Sequence, residues 1–392
     1  MPGRDVPHAG IVRPGQLTGH GRAMPMRRRD LLGSLPAAAA AAALPAAEAA
    51  VSTRFRMETV RLNLRHTWTT TMSSSNHRDV LYFLLTRGAH SGIGEGAPIA
   101  RYNESAEDAK RFAREVGELL KDDVDLGQYR AVIDRIHQAI PGQWALKSAI
   151  DIAIHDWVGQ QLGVPIFRLL GLDPLATPVT TFSIGIDTPE MTRQKVKEAE
   201  PYPVLKVKVG LKTDEATIDA VRSVTKKPLR VDANEGWRTK EEAVAKINWL
   251  EKQGVEFVEQ PMPAHMLEEM KYVRSKVHIP VIADEASLHP RDIPKLARYF
   301  DGVNIKLDKC GGMLEGLRMI ETARSLGLKT MLGCMISSSV TITAAAQLSP
   351  LVDYADLDGN LLIDNDPYSG VIVEAGRLIL PGGAGLGLKP RG

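Results

Sequence analysis

The chain has 392 residues, more than one ordinary domain needs, and its 44% hydrophobic and 24% charged content is that of a folded globular protein. Its formal net charge is +2, and because residues 1–50 hold six arginines against three acids, the remainder is nearly neutral at −1. That balance gives no reason to expect nucleic acid as a partner, and no run approaches the ~18 apolar residues of a membrane span.

The first patterned stretch is Arg27-Arg28-Arg29-Asp30-Leu31-Leu32, followed by an alanine-rich run over 37–50 that closes on Ala47-Glu48-Ala49. A charged segment, a short apolar segment and a small-x-small end read as a cleavable twin-arginine-type export signal, and so as a periplasmic or otherwise exported protein. A plain alanine-rich tail is the competing reading. Residues 1–23 are rich in Gly and Pro without pattern, which leaves Met24 and Met26 open as starts.

From Ser52 the pattern turns to β, with strands expected at 55–64, 80–86 and 92–98 in a meander. The polar run 66–77 between the first two is long for a hairpin and reads as a functional or poorly ordered loop. Ser105 and Asp108 make a capping box ahead of a helix over 106–120, and 145–163 is strongly helical with Trp157 on its apolar side. From Val179 strand and helix alternate, with strands at 179–186, 204–210, 229–234, 255–260, 280–284, 302–307, 329–334 and 354–358. Seven or eight β/α units in roughly 180 residues predict an α/β fold, a (β/α)7–8 TIM-type barrel. An open doubly wound sheet competes, but no Gly-x-Gly-x-x-Gly follows an early strand. Residues 371–380 show a two-strand pattern with a tight turn, expected to return onto the N-terminal α+β region. The expected division is a leader at 1–50, an α+β capping domain at 51–175 completed by 365–392, and a barrel at 176–364. Cys310 and Cys334 lie in strand-like runs without zinc spacing and are expected as free, buried thiols.

Alternation along Val204-Leu-Lys-Val-Lys-Val-Gly210 sends Lys206 and Lys208 to one face. Three later strands end in Asp232, Glu259 and Asp284, spaced 27 and 25 residues apart, and the next carries Lys306. Any one of these acids is equally a helix N-cap or a surface charge, and any one lysine a snorkelling rim residue. Three acids at the same place in consecutive units converge at the barrel mouth, where they repel unless a hard dication such as Mg2+ binds. Lysines on either side of that ion can remove a proton α to a carboxylate and return one to the opposite face.

These motifs, with Asp232-Ala-Asn234-Glu-Gly-Trp237, Glu259-Gln-Pro261, Ala283-Asp284-Glu285 and Asn304-Ile-Lys306-Leu-Asp-Lys-Cys-Gly-Gly312, resemble the enolase superfamily over about residues 52–390. The likeness is to its muconate-lactonizing-enzyme-like subgroup and, within it, to the dipeptide epimerases. It implies Lys208 and Lys306 as the acid/base pair with Lys206 in support. It also implies one Mg2+ held by Asp232, Glu259 and Asp284, and homo-oligomeric assembly. Asp356-Leu-Asp358-Gly359 resembles the epimerase motif that holds a substrate ammonium, an Asp-Gly turn being the alternative. Lys309 is expected on the strand's other face. Substrate selection falls to loops near 66–78 and 98–104, with Arg78 and Arg101 available to a side-chain carboxylate and Asn234 at the mouth. The first loop lacks the arginine pattern of L-Ala-D/L-Glu epimerases, and Ser337 stands where relatives often carry a glutamate. The implied activity is epimerisation of a dipeptide's C-terminal residue, either an L-Ala-D/L-Glu murein peptide or a small apolar dipeptide. Cycloisomerisation or o-succinylbenzoate-type dehydration on the same lysines is the alternative within the family. A non-catalytic peptide-binding protein is the alternative outside it.

Overall fold

Three antiparallel strands open the described part of the chain: β1 (Thr53–Thr69), β2 (Ser74–Arg87) and β3 (His90–Gly96), side by side in that order. In this computed structural model residues 52–391 are described, so the export signal read at 27–50 lies outside them. Alternation along β2 sorts two cores: Leu81, Phe83 and Leu85 bury among the cap helices, while Val80 and Tyr82 join the core shared with the barrel. The cap helices are α1 (Ala106–Lys110), α2 (Ala113–Leu119), α3 (Tyr129–Ala139) and α4 (Trp144–Leu162). Ser105 caps α1 by accepting from the Asp108 N–H, and the helix expected over 106–120 breaks at Arg111–Phe112.

Glycine makes the cap possible. A Cβ added at Gly92, Gly94 or Gly96 would lie 2.1, 1.9 and 2.0 Å from the carbonyl oxygens of Ala153, Ala149 and Ala145, so α4 rests on bare β3 backbone. Two strand residues advance about 6.6 Å and four helical residues about 6 Å, which is why a glycine at every second position meets an alanine at every fourth.

Eight parallel strands follow: β4 (Phe182–Ile184), β5 (Leu205–Lys208), β6 (Leu229–Asp232), β7 (Val255–Glu259), β8 (Val281–Ala283), β9 (Gly302–Ile305), β10 (Lys329–Gly333) and β11 (Tyr354–Asp356). They pair in sequence order, and a parallel bridge between Thr180 and Ala355 brings the two ends together as a near-closed barrel. Outward residues such as Leu205, Val207 and Val231 pack under the helices. Phe257, Ile282, Met331 and Tyr354 form a separate apolar cluster lower in the barrel, and Arg230 lies 5.4 and 4.9 Å from the Phe257 and Tyr354 rings.

Three further expectations change. The polar run 66–77 is mostly strand: β1 extends to Thr69, β2 starts at Ser74, and the β1–β2 register shifts between Asn63 and Trp68. Its polarity follows from its place at the barrel mouth, where Thr71 Oγ1 donates to the Asn234 carbonyl at 2.6 Å. The hairpin formed by Ile372–Glu374 and Arg377–Ile379 does not lie on the cap. The Gly376 carbonyl accepts from the Thr180 N–H at 2.9 Å, and its backbone abuts Val179 and Pro203 at the strand starts. The tail reaches the cap elsewhere: Asn365 bonds β1 at Asn63, and Asp156 of α4 accepts the Leu386 N–H. Finally, neither cysteine is in a strand. Cys310 is buried in the single-turn helix Leu307–Cys310, and Cys334 is half-buried just past β10, both as free thiols.

Candidate active site

The inward positions of the barrel strands carry the polar groups, because the same alternation that buries Val207 and Val231 outward turns Lys206, Lys208 and Asp232 inward. Carboxylate oxygens of Asp232, Glu259 and Asp284 all lie within 4.8 Å of one another, and all three residues are buried. Lys208 Nζ is 2.5 Å from Asp232 Oδ2 on one flank; Lys306 Nζ is 2.8 Å from Asp284 Oδ2 on the other. Between β5, which carries Lys208, and β9, which Lys306 follows directly, stand β6 and β7, ending in Asp232 and Glu259, and β8, which Asp284 follows directly, so the amines face each other across the triad.

Lys206, 1% exposed, is ringed by Asp356 at 2.7 Å, Glu259 at 2.7 Å and Asp232 at 3.2 Å. An ammonium this deep would be costly without such partners. Burial pulls it down, but those three carboxylates outweigh burial and hold it well above the ordinary lysine range. For Lys306, burial is likewise outweighed by Asp284 and Glu259, and the amine is raised. Burial opposes the charge on Asp284 too, yet Lys306 and Lys309 keep it well below the usual carboxylate range. Glu259 behaves differently. Burial first, then the neighbouring Asp232, push it up to about 7. Its Oε2 makes no hydrogen bond of acceptable angle although Lys206 is close. A cluster of hard oxygen donors, one of them under that strain, suits a divalent cation of the Mg2+ type.

Lys309 departs from expectation. The chain leaves the strand at Lys306 and turns helical over Leu307–Cys310, so strand alternation no longer applies. The Lys309 ammonium comes back to donate to the carboxylate and carbonyl of Asp284. It buttresses that acid from behind.

A cavity of about 580 Å³ opens over the triad between cap and barrel, lined among others by Trp68, Arg78, Arg101, Tyr102, Glu285, Asp356 and Asp358. Asn234 lines it too, in a left-handed conformation with φ 41°, its side-chain N–H donating to Glu285 at 3.1 Å. The paired acids of the eighth strand are not equivalent. Asp356 is taken by Lys206 at 2.7 Å and by Thr181 Oγ1 at 2.5 Å. Asp358 accepts the Ser183 N–H at 2.6 Å and otherwise faces the cavity, with burial and then Asp356 raising it to about 7. Arg101 is engaged by Glu235 at 2.7 Å, whereas Arg78 lines the cavity without an ion pair or side-chain hydrogen bond among the described residues. Ser337 is fully buried; the acids at the N-terminus of the helix Ser339–Leu348 come instead from Glu95 of β3 and Asp366 of the tail. Sequence reasoning gave no role to Thr181 and Ser183, although inward alternation on β4 points to them, nor to Tyr102, which carries no comparable signal.

Acids at three successive strand ends with an amine on either flank define the class: a barrel enzyme whose acids can hold a divalent cation between two amines. Comparison with known proteins agrees. The family described as Enolase C-terminal domain-like matches residues 190–392. A protein of Bacteroides thetaiotaomicron named L-Ala-D/L-Glu epimerase is 41% identical over 329 residues, 83% of this chain and 85% of its own. One of Pedosphaera parvula named L-Ala-D/L-amino acid epimerase is 42% identical, covering 81% and 93%. The crystal structure of a dipeptide epimerase from Enterococcus faecalis, complexed with Mg and L-Leu-L-Tyr, superposes with a TM-score of 0.78 at 31% identity, covering 87% of this chain and all of that one. This chain therefore belongs to the enolase superfamily, in its mandelate racemase/muconate lactonizing branch, alongside relatives named as dipeptide epimerases.

Proposed function

We propose that this protein is a Mg2+-dependent dipeptide epimerase that inverts the α-carbon of the C-terminal residue by 1,1-proton transfer. The observation that carries it is the placement of Lys208 and Lys306 on opposite flanks of the Asp232–Glu259–Asp284 triad. Bound at the triad, Mg2+ supplies positive charge that makes the proton α to a held carboxylate more acidic. One lysine removes that proton from Cα and the other delivers a proton to the opposite face, with the roles exchanged in the reverse direction. Lys206 keeps Asp232, Glu259 and Asp356 in register through its ion pairs. Trp68 and the β1–β2 tip overlie the cavity and limit water near the reacting carbon.

Asp358, the acid that Asp356 leaves facing the cavity, is suited to a free α-ammonium, and that favours a dipeptide over a lactone or succinylbenzoate substrate. Beside Ser183 and Trp68 lies a small recess of about 50 Å³, walled by Leu64, Phe182, Ile336 and Leu362 together with Arg65, His66, Lys195 and Glu198, whose volume fits a first side chain the size of alanine's. The Arg27–Ala50 pattern supports export as part of the same reading, with murein peptides as substrates at hand; fractionation of the native host tests that part. The activity itself is tested by incubating the enzyme with Mg2+ and a dipeptide panel in D2O. A mass gain of one deuterium at Cα of the second residue is expected for at least one dipeptide. No gain in any of them refutes the reading.

A further inference from the structure

Lys306 stands at the head of a turn that is fastened from the cap. It is the last extended residue before the single-turn helix Leu307–Cys310, and Gly311 and Gly312 follow with φ 97° and 123°, values that suit glycine alone. The Gly311 and Gly312 N–H groups return to the Leu307 carbonyl at 2.9 and 3.0 Å, so a shift of this hinge reaches the residue beside Lys306. The next helix, Met313–Ser325, starts at Gly312, which has no side chain to accept its first N–H groups. Asp151 of α4 accepts them instead: Met313 N–H at Oδ1, 2.8 Å, and Leu314 N–H at Oδ2, 3.1 Å. A Cβ on Gly312 would lie 2.4 Å from the Asp151 Cβ, so the acid packs directly on the hinge. One turn along α4, His155 Nδ1 is 2.9 Å from the Asp151 carbonyl and 3.0 Å from its Oδ1, and both residues are buried. Burial pulls that imidazole down, but Asp151 outweighs burial and holds it above its ordinary range. Two further cap contacts reach the same turn: His137 Nε2 is 3.0 Å from the Gly311 carbonyl, and the Ala97 N–H donates to Asp308 at 2.7 Å.

The opposite flank is built otherwise. The turn after Lys208 is closed by Asp214 of the barrel helix Asp214–Arg222, whose Oδ1 accepts the Gly210 and Leu211 N–H groups, each at 2.8 Å. An acid does the same task on both flanks, but for Lys208 it comes from the helix that follows and for Lys306 from the cap. We infer that Asp151 is a positioning residue for Lys306: by capping the helix after the Gly311–Gly312 hinge, it sets where the Lys306 amine stands over the triad. The inference rests on the epimerase reading above and deepens it, because the cap then aligns one of the two amines through α4 while the other is aligned within the barrel.

The test gives the Mg2+-loaded enzyme two epimers separately and follows the initial rate of Cα exchange in D2O. The substrates are L-Ala-L-Glu and L-Ala-D-Glu, or the matching pair of whichever panel dipeptide exchanges fastest. Lys306→Ala identifies the epimer that Lys306 deprotonates. In Asp151→Asn the amide keeps the shape, but its nitrogen cannot accept the second N–H. Exchange of that epimer is expected to slow by on the order of 10- to 100-fold in kcat, with its KM and the exchange of the other epimer nearly unchanged. Because the two epimers are compared within one protein, a misfolded fraction cancels from their ratio. Gly312→Ala, which presses on the same acid from the other side, is expected to move the ratio in the same direction. A wild-type ratio in Asp151→Asn, or a shift against the epimer that Lys208 deprotonates, overturns the inference while leaving the epimerase reading intact. Failure of every dipeptide to exchange its Cα proton in the wild type overturns the epimerase reading, and the inference with it.

Discussion

Asp358 shows how one residue's surroundings set a measurable pH dependence. Burial and the adjacent Asp356 raise its carboxyl to about 7, so near neutrality it is only partly ionised. Only the ionised form holds an ammonium well, so dipeptide binding strengthens as pH rises through that value and weakens below it. At saturating Mg2+, kcat/KM for a dipeptide is expected to climb from about pH 6 to about pH 8, chiefly through a falling KM. Asp358→Asn is expected to raise KM and flatten that limb; an unchanged pH profile in the variant would remove Asp358 from substrate binding. Lys309 marks what alternation cannot tell at this scale. The sequence places Lys306 correctly because it directly follows a strand and is still extended, and misplaces Lys309 because nothing in Leu307–Cys310 announces that the chain turns helical at once. Arg101 is similar, since its partner Glu235 is contributed by a loop remote in sequence.

Among the elements, β3 and the helix that begins at Ser339 tie cap to barrel. Gly94→Ala drives a methyl into the Ala149 carbonyl, and α4 can avoid it only by lifting off β3. The expected loss is about 3 kcal/mol or more, read as the midpoint of urea unfolding, against about 0.5 kcal/mol or less for an ordinary exposed substitution. Glu95, next to this glycine run, accepts from the Ser338 and Thr341 N–H groups, and burial raises it to about 7 despite those bonds. Its folded pKa lies above the ordinary value. Its stabilising share is therefore fully present in acid and is lost as pH rises through about 7. The stability gap between wild type and Glu95→Ala is expected to narrow by about 2 kcal/mol between about pH 5 and about pH 8; a gap that widens would reverse the assignment. The eight barrel strands were legible because each ends a β/α repeat in a recognisable apolar run. The reach of β1 and β2 into the mouth was not, because strands that leave the core lose their apolar alternation and look like loop. The Ile372–Glu374 and Arg377–Ile379 hairpin was legible as a hairpin, but its docking at the strand starts depends on Val179 and Pro203, which sequence pattern does not link to it.

For the whole molecule, cap and barrel together enclose one site whose acids are crowded and buried. No helix among the described residues is long and apolar enough to cross a membrane. Three carboxylates within 4.8 Å of one another make the fold depend on what neutralises them. Mg2+ at about one hundred times its Kd is expected to stabilise the folded state by about 2.7 kcal/mol, seen as a rise in Tm that EDTA reverses. Glu259→Gln should abolish that rise, and a Tm indifferent to Mg2+ would argue against the triad as the metal site.

The central claim is that two amines serve opposite faces of one carbon, and single-lysine variants test it most directly. In D2O with Mg2+, Lys208→Ala and Lys306→Ala should each stop epimerisation, while each still exchanges the Cα proton of one epimer, a different epimer for each variant. If both variants lose exchange of the same epimer alone, or if either still epimerises, the lysines do not act from opposite sides and the account fails.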